Sequence, residues 1–179
     1  MTNRKKLVTE MGRIDRDAFA QSQKLPLVVV LDNVRSLHNV GSVFRTSDAF
    51  RVERIMLCGI TATPPSAEIH KTALGAEDVV DWKYYESTMD AVAELRSQGY
   101  RVYSIELCQG SIALQDFVTA PGERYAVVLG NEVKGVQQDV VDASDGAIEI
   151  PQFGTKHSLN VSVTAGMVIW EFAKKLGLV

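Results

Sequence analysis

Three polar clusters in this 179-residue chain hold the side chains best suited to chemistry. The first runs Asp32-Asn33-Val34-Arg35-Ser36-Leu37-His38-Asn39-Val40-Gly41-Ser42 and is followed by Arg45. The second is Gly130-Asn131-Glu132-Val133-Lys134-Gly135. The third runs from Ile150-Pro151 to Ser158-Leu159-Asn160. An arginine so near the carboxyl end of a strand suits phosphate recognition, and a plain strand-to-helix turn leaves Glu132 unexplained. Histidines 38, 70 and 157 are scattered, and they support neither a metal site nor a Ser-His-Asp order. The first cluster lacks the Gly-x-Gly-x-x-Gly fingerprint of dinucleotide folds and the Gly-Lys-Ser/Thr ending of a phosphate loop. Each cluster alone also fits a plainer role. Asn39, Ser158 or Asn160 can cap a helix, Arg45 can pair with Asp48 on the surface, and the glycines can serve a turn.

The elements around the clusters say where they belong. Leu27 to Leu31 is a continuous β-branched-rich run, which marks a strand covered on both faces. After it Val40, Val43 and Phe44 take helical spacing. Further strands are expected at Arg54–Cys58, Val79–Tyr85, Arg101–Leu107, Tyr125–Leu129 and Ala147–Ile150. Helices are expected from Ser87 to Gly99, over Val136–Val141 and over Leu159–Leu176, the last closed by Gly177. Thr61 to Ser66, with Pro64-Pro65, reads as a long exposed loop. Leu7, Val8, Met11 and Ile14 predict an amphipathic helix with a basic outer face before Pro26. This alternation predicts an α/β fold, a parallel sheet with helices on both faces, whose ligand sites lie outside the carboxyl ends of the strands. All three polar clusters fall at such ends.

Composition narrows the class. With 46 % apolar and 23 % charged residues the chain reads as globular, and no apolar stretch is long enough to span a bilayer, so a cytoplasmic protein with no membrane contact is expected. The net charge of -3 gives no overall basic footprint. Arg4, Lys5, Lys6, Arg13, Arg16 and Lys24 nevertheless crowd the amino terminus. Cys58 and Cys108 are far apart and read as reduced, buried hydrophobes.

Taken together, Asn39-Val40-Gly41 through Arg45-Thr46, Gly130-Asn131-Glu132 with Gly135-Val136, and Ile150-Pro151 with Ser158-Leu159-Asn160-Val161-Ser162 resemble the three motifs of the SpoU family in the SPOUT superfamily. That resemblance covers Leu27 to about Phe172. Gln152, where methionine is common, and Val133, where a small residue is frequent, depart from the pattern. The resemblance implies a carboxyl-terminal trefoil knot, S-adenosyl-L-methionine as cofactor, a homodimer, and transfer of methyl to a ribose 2'-hydroxyl of tRNA or rRNA without a metal. It places Gly130, Ile150, Leu159 and Ser158 against the cofactor. It makes Arg45 the catalytic arginine, with Asn39, Glu132, Asn160 and Ser158 orienting ribose or arginine. Residues 1–24 are then a basic amino-terminal helical extension and residues 25–179 the methyltransferase domain. The few residues before the first strand and after the last helix favour tRNA over rRNA by analogy. A catalytically silent RNA-binding or ribosome-assembly factor on the same fold is the alternative.

Overall fold

The computed structural model describes residues 3–179. Seven strands form one parallel sheet: β1 (Leu25–Asp32), β2 (Val52–Cys58), β3 (Trp82–Tyr85), β4 (Tyr100–Ile105), β5 (Ile112–Ala113), β6 (Arg124–Leu129) and β7 (Gly146–Glu149). Their spatial order is β3-β2-β1-β6-β4-β7-β5. Six α-helices accompany them: α1 (Arg16–Gln21), α2 (Leu37–Ala49), α3 (Ala67–Ala73), α4 (Thr88–Ser97), α5 (Gln138–Ala143) and α6 (Val161–Lys175).

The apolar run in β1 is explained by two cores. Leu27, Val29 and Leu31 point to one face and pack with Val43 and Phe44 of α2, Ile69 of α3, and Val168 and Phe172 of α6. Val28 and Val30 point to the other and pack with Ala91 and Leu95 of α4 and Val140 of α5. Successive side chains of a strand alternate between faces, so a strand covered on both must be apolar throughout. Each such side chain contributes on the order of 1.5–3 kcal/mol when removed from water.

Several sequence expectations need correction. Residues 7–14 do not form an amphipathic helix; a 3-10 turn at Val8–Glu10 precedes α1, and Leu7, Met11 and Ile14 are exposed. With no surface to cover them, those spaced apolar residues have nothing to hold a helix. Residues 1 and 2 of the expected extension and the side chain of Val8 lie outside the described residues. Residues 61–66 are not a simple exposed loop. Thr61 is buried, donating its hydroxyl to Leu31 O and accepting the amide of Val34, and Ser66 caps the unforeseen helix α3. The strand expected from Val79 begins only at Trp82, because Ala76–Asp78 is a 3-10 turn. Among the described residues no helix is long and apolar enough to cross a membrane.

Gly41 shows why α3 matters to the first cluster. A Cβ there would lie 2.2 Å from Thr72 Oγ1 and 2.3 Å from Ile69 O. Glycine lets the backbones of α2 and α3 touch, so its role in the cluster is packing.

Candidate active site

The strand order reverses at β1 and β6, since β2 and β3 extend one way and β4 and β7 the other. Loops leaving adjacent strands at such a switch diverge and open a crevice at the carboxyl ends. The crevice here contains a cavity of about 460 Å³. It is bordered by Glu106 and Leu107 after β4, residues 130–136 after β6, and Ile150, Ser158 and Leu159 after β7.

Glu132 holds the first and second clusters together. Its carboxylate accepts the backbone amides of Arg35 and Ser36, each at 2.9 Å, and the Asn39 side-chain amide at 3.1 Å. Burial alone raises the carboxyl's pKa. The Arg35 and Ser36 amides, then a bond to its own backbone N–H and the Asn39 amide, outweigh burial and leave Glu132 below the ordinary carboxylate range. The ionised group also lies at the amino end of α2, where the helix dipole favours negative charge.

The third cluster joins through Asn160, whose side-chain NH2 donates to Asn39 Oδ1 at 3.2 Å. Its own Oδ1 accepts the amide of Ser162 at 2.9 Å and caps α6. Asn160 therefore caps a helix and belongs to the site. Asn39 does not cap α2. Ser36 does, its hydroxyl accepting the Asn39 amide at 3.3 Å, and this frees the Asn39 side chain to bridge Glu132 and Asn160. The helices α2 and α6 start together at this chain of bonds and remain side by side to Phe50 and Trp170, whose rings meet edge-on at 5.7 Å.

The loop after β6 is a tight turn, closed by reciprocal backbone bonds between Asn131 and Gly135. The Asn131 side chain donates to Asn33 O at 2.7 Å and accepts the amides of Val133 and Lys134. A Cβ on Gly130 would lie 2.1 Å from Gly135 C and Val136 N, so only glycine permits this fold-back. Glu106 anchors the far side, accepting the Val136 amide at 3.0 Å and the Leu107 amide at 2.9 Å. Asp32 anchors the near side. Fully buried, it accepts from Thr88 Oγ1, Asn33 Nδ2 and both the backbone and side-chain amides of Gln137.

The structure thus brings Gly130, Glu132, Ile150, Ser158 and Leu159 to one cavity, and hydrogen-bonds Asn39 and Asn160 to its edge. It does not bring Arg45 there. Asn39 already belongs to α2, and Arg45 is exposed six residues further along, about 9 Å of helix rise, outside the cavity lining. No ion pair joins Arg45 to Asp48 among the described residues. Ser158 lines the cavity, but it makes no hydrogen bond among the described residues.

Two anchoring residues, Asp32 and Glu106, were not singled out as such from sequence. A carboxylate at the last residue of a buried strand, or just beyond it, was their signal. Cys108 is half-buried at the cavity rather than fully buried. Burial, followed by the charges of Glu106, Asp142 and Glu149, pushes its thiol up, which disfavours the thiolate. Cys58 is buried as expected, its thiol pushed up to about 12 by burial.

The cavity fits an adenosine-bearing sulfonium compound. Leu107, Val136, Ile150 and Leu159 offer apolar walls for a flat base, exposed loop backbone offers polar edges, and Glu106 and Glu132 put negative charge nearby. Its volume falls in the roughly 300–1,000 Å³ range of small-molecule sites.

Comparison with known proteins points the same way. The model of the SpoU rRNA Methylase family matches residues 26–170. A tRNA (guanosine(18)-2'-O)-methyltransferase of Aquifex aeolicus is 30 % identical over 158 residues, covering 87 % of this chain and 72 % of its own length. The solved TrmH/SpoU tRNA modifying enzyme of A. aeolicus superposes with a TM-score of 0.78 at 25 % identity, covering 91 % of this chain and 81 % of that one. The AdoMet-bound rRNA methyltransferase of Sinorhizobium meliloti superposes with a TM-score of 0.78 at 27 % identity. That alignment covers 89 % of this chain and 59 %, less than two thirds, of the other.

Proposed function

Because the chain belongs to the SpoU rRNA Methylase family, we propose that it is an S-adenosylmethionine-dependent methyltransferase acting on a ribose 2'-hydroxyl of structured RNA. The observation that carries this reading is the Glu132–Asn39–Asn160 hydrogen-bond chain, which joins all three motifs at the edge of the cavity. When bound, S-adenosylmethionine supplies an electrophilic sulfonium methyl. Gly130, Ile150, Leu159 and Ser158 hold the cofactor, largely through backbone groups. Asn39 and Asn160 orient the ribose, and Glu132 fixes them in place by binding the start of α2. The 2'-hydroxyl held by Asn39 and Asn160 would be the nucleophile, and its proton would pass to the target nucleotide's phosphate. Arg45 grips that phosphate and stabilises the developing alkoxide; a guanidinium is too weak an acid to be the base itself.

The reading includes a homodimer. Val163, Met167 and Trp170 form an exposed apolar stripe on α6, whereas Ile169 and Phe172 are core. A second copy covering that stripe would lie beside α2 and enclose Arg45 in a composite site. The carboxyl-terminal trefoil knot belongs to the same proposal. It is supported by β6 lying between β1 and β4 while the chain leaves β7 and returns as α6 to pack on α2. Within this reading tRNA is favoured over rRNA, by analogy with the A. aeolicus tRNA (guanosine(18)-2'-O)-methyltransferase that the chain resembles. The basic extension over residues 1–24 would add a contact to RNA. A cytoplasmic location fits such a substrate.

The test is incubation with radiolabelled S-adenosylmethionine and unmodified tRNA and rRNA transcripts, with 2'-O-methyl nucleosides read by mass spectrometry and cofactor binding by calorimetry. Labelled ribose in one transcript is expected. Arg45→Ala should lower transfer on the order of a hundredfold or more with cofactor affinity nearly intact. Absence of cofactor binding would instead make the chain a silent RNA-binding factor, and normal turnover by Arg45→Ala would remove that residue's role.

A further inference from the structure

Phe153 is 97 % exposed, the most exposed of the large apolar side chains among the described residues. It follows Gln152, which lines the cavity, and begins the exposed stretch 153–160 that leads into α6. No aromatic ring packs against it among the described residues. Core packing and α6 therefore do not explain a phenylalanine at this point, where a polar residue would be better solvated.

Cations adjoin the same region: Lys134 lines the cavity, Lys156 is three residues from Phe153, and the amide of Arg35 bonds to cavity-lining Glu132. Arg35, Lys134 and Lys156 are exposed and make no ion pair among the described residues, whereas Lys71, Lys83 and Lys174 elsewhere each hold a glutamate. Two carboxylates that line the cavity are already engaged: Glu132 by the Arg35 and Ser36 amides, Glu106 by those of Leu107 and Val136. Unpaired cations on loops that adjoin the cavity, together with an aromatic ring protruding beside it, match an unpaired nucleotide, which offers a flat π-face and flanking phosphates. Stacking on aromatic side chains is how unstacked RNA bases are commonly held.

We propose that Phe153 is a stacking platform for an unpaired base of the substrate RNA, with Arg35, Lys134 and Lys156 taking the phosphates beside it. The inference rests on the reading of the chain as an RNA methyltransferase and adds to it how the substrate is gripped. It also implies that the substrate presents a loop or splayed nucleotide at the cavity rather than a continuous duplex.

The experiment measures affinity of the full chain for a fluorescently labelled, unmodified tRNA transcript by anisotropy, with methyl transfer assayed separately. Phe153→Ala should weaken binding on the order of tenfold to a hundredfold while calorimetry finds cofactor affinity unchanged. Phe153→Trp should restore binding, and Phe153→Leu, equally apolar but without a π-face, should not. Unchanged affinity in Phe153→Ala, or full restoration by Phe153→Leu, overturns the platform. So does a change of oligomeric state in Phe153→Ala by light scattering, because the ring would then be covering a second copy. Because anisotropy needs no turnover, wild-type protein that binds the transcript through Phe153 yet transfers no methyl would refute the proposed activity and leave the platform standing.

Discussion

Replacing Glu132 by glutamine tests the bond chain at its centre, because the change keeps the size of the side chain and removes its charge. The carboxylate accepts three N–H groups: Arg35 N on Oε2, Ser36 N and Asn39 Nδ2 on Oε1. A glutamine oxygen can keep the last two, but its NH2 then faces the Arg35 amide, donor against donor. One charge-assisted bond of about 1.5–3 kcal/mol is lost, and two others fall towards the roughly 0.5–1.5 kcal/mol of neutral pairs. Glu132 is only half-buried, so water recovers part of this, and a net cost of about 2 kcal/mol is expected. For a chain of this size that lowers Tm by about 4–8 °C. With its bond to residue 132 weakened to a neutral pair and the Arg35 amide unpaired at the start of α2, Asn39 holds Asn160 less rigidly, and kcat for methyl transfer should fall by up to about a hundredfold, the cost of a misplaced reacting group. The sign with pH follows from the lowered carboxyl of Glu132. Its stabilisation is present above the ordinary carboxylate range and is lost as pH falls through the lower folded value. The Tm gap between wild type and Glu132→Gln should therefore be constant near neutrality and close only in acid. Thermal melts across pH, with single-turnover transfer at neutral pH, provide the assay. A variant that melts within a degree of wild type and turns over at the same rate would refute the claim that this carboxylate organises the site.

Gly130→Ala should weaken S-adenosylmethionine binding at least tenfold by calorimetry, since the added Cβ meets the backbone of Gly135 and Val136 at 2.1 Å and must displace a loop that lines the cavity; wild-type affinity would show that the loop moves freely. Asp32→Ala leaves the Thr88 hydroxyl and the Gln137 amide without their buried acceptor. It should cost roughly 3 kcal/mol or more. A fall in Tm of about 6–12 °C follows for a chain of this size, and a melt shifted by less than two degrees would contradict it.

How much of this was legible beforehand differs by element. The doubly covered strand β1, the helix after it and the final helix were readable, because an apolar run and a helical period are local consequences of burial. The short helix α3 was not, because its stability comes from the contact of Gly41 with Ile69 and Thr72, 28 and 31 residues away. The amphipathic pattern of residues 7–14 misled for the converse reason, as spacing says nothing about whether a surface exists to receive it.

The site divides along the same line. Sequence alone determined that all three polar clusters follow apolar strands, and the resemblance it carries named the candidate residues within them. The tertiary structure decided how they connect. Only folding puts Glu132 within hydrogen-bonding distance of Asn39, 93 positions away, and Asn39 within reach of Asn160, 121 positions away. It also transferred the cap of α2 to Ser36 and left Arg45 exposed beyond the cavity. Residue type and local spacing record what a loop can do, but the hydrogen bonds that orient an active site join loops from different strands, and the strand order that places β6 beside β1 exists only in the folded sheet.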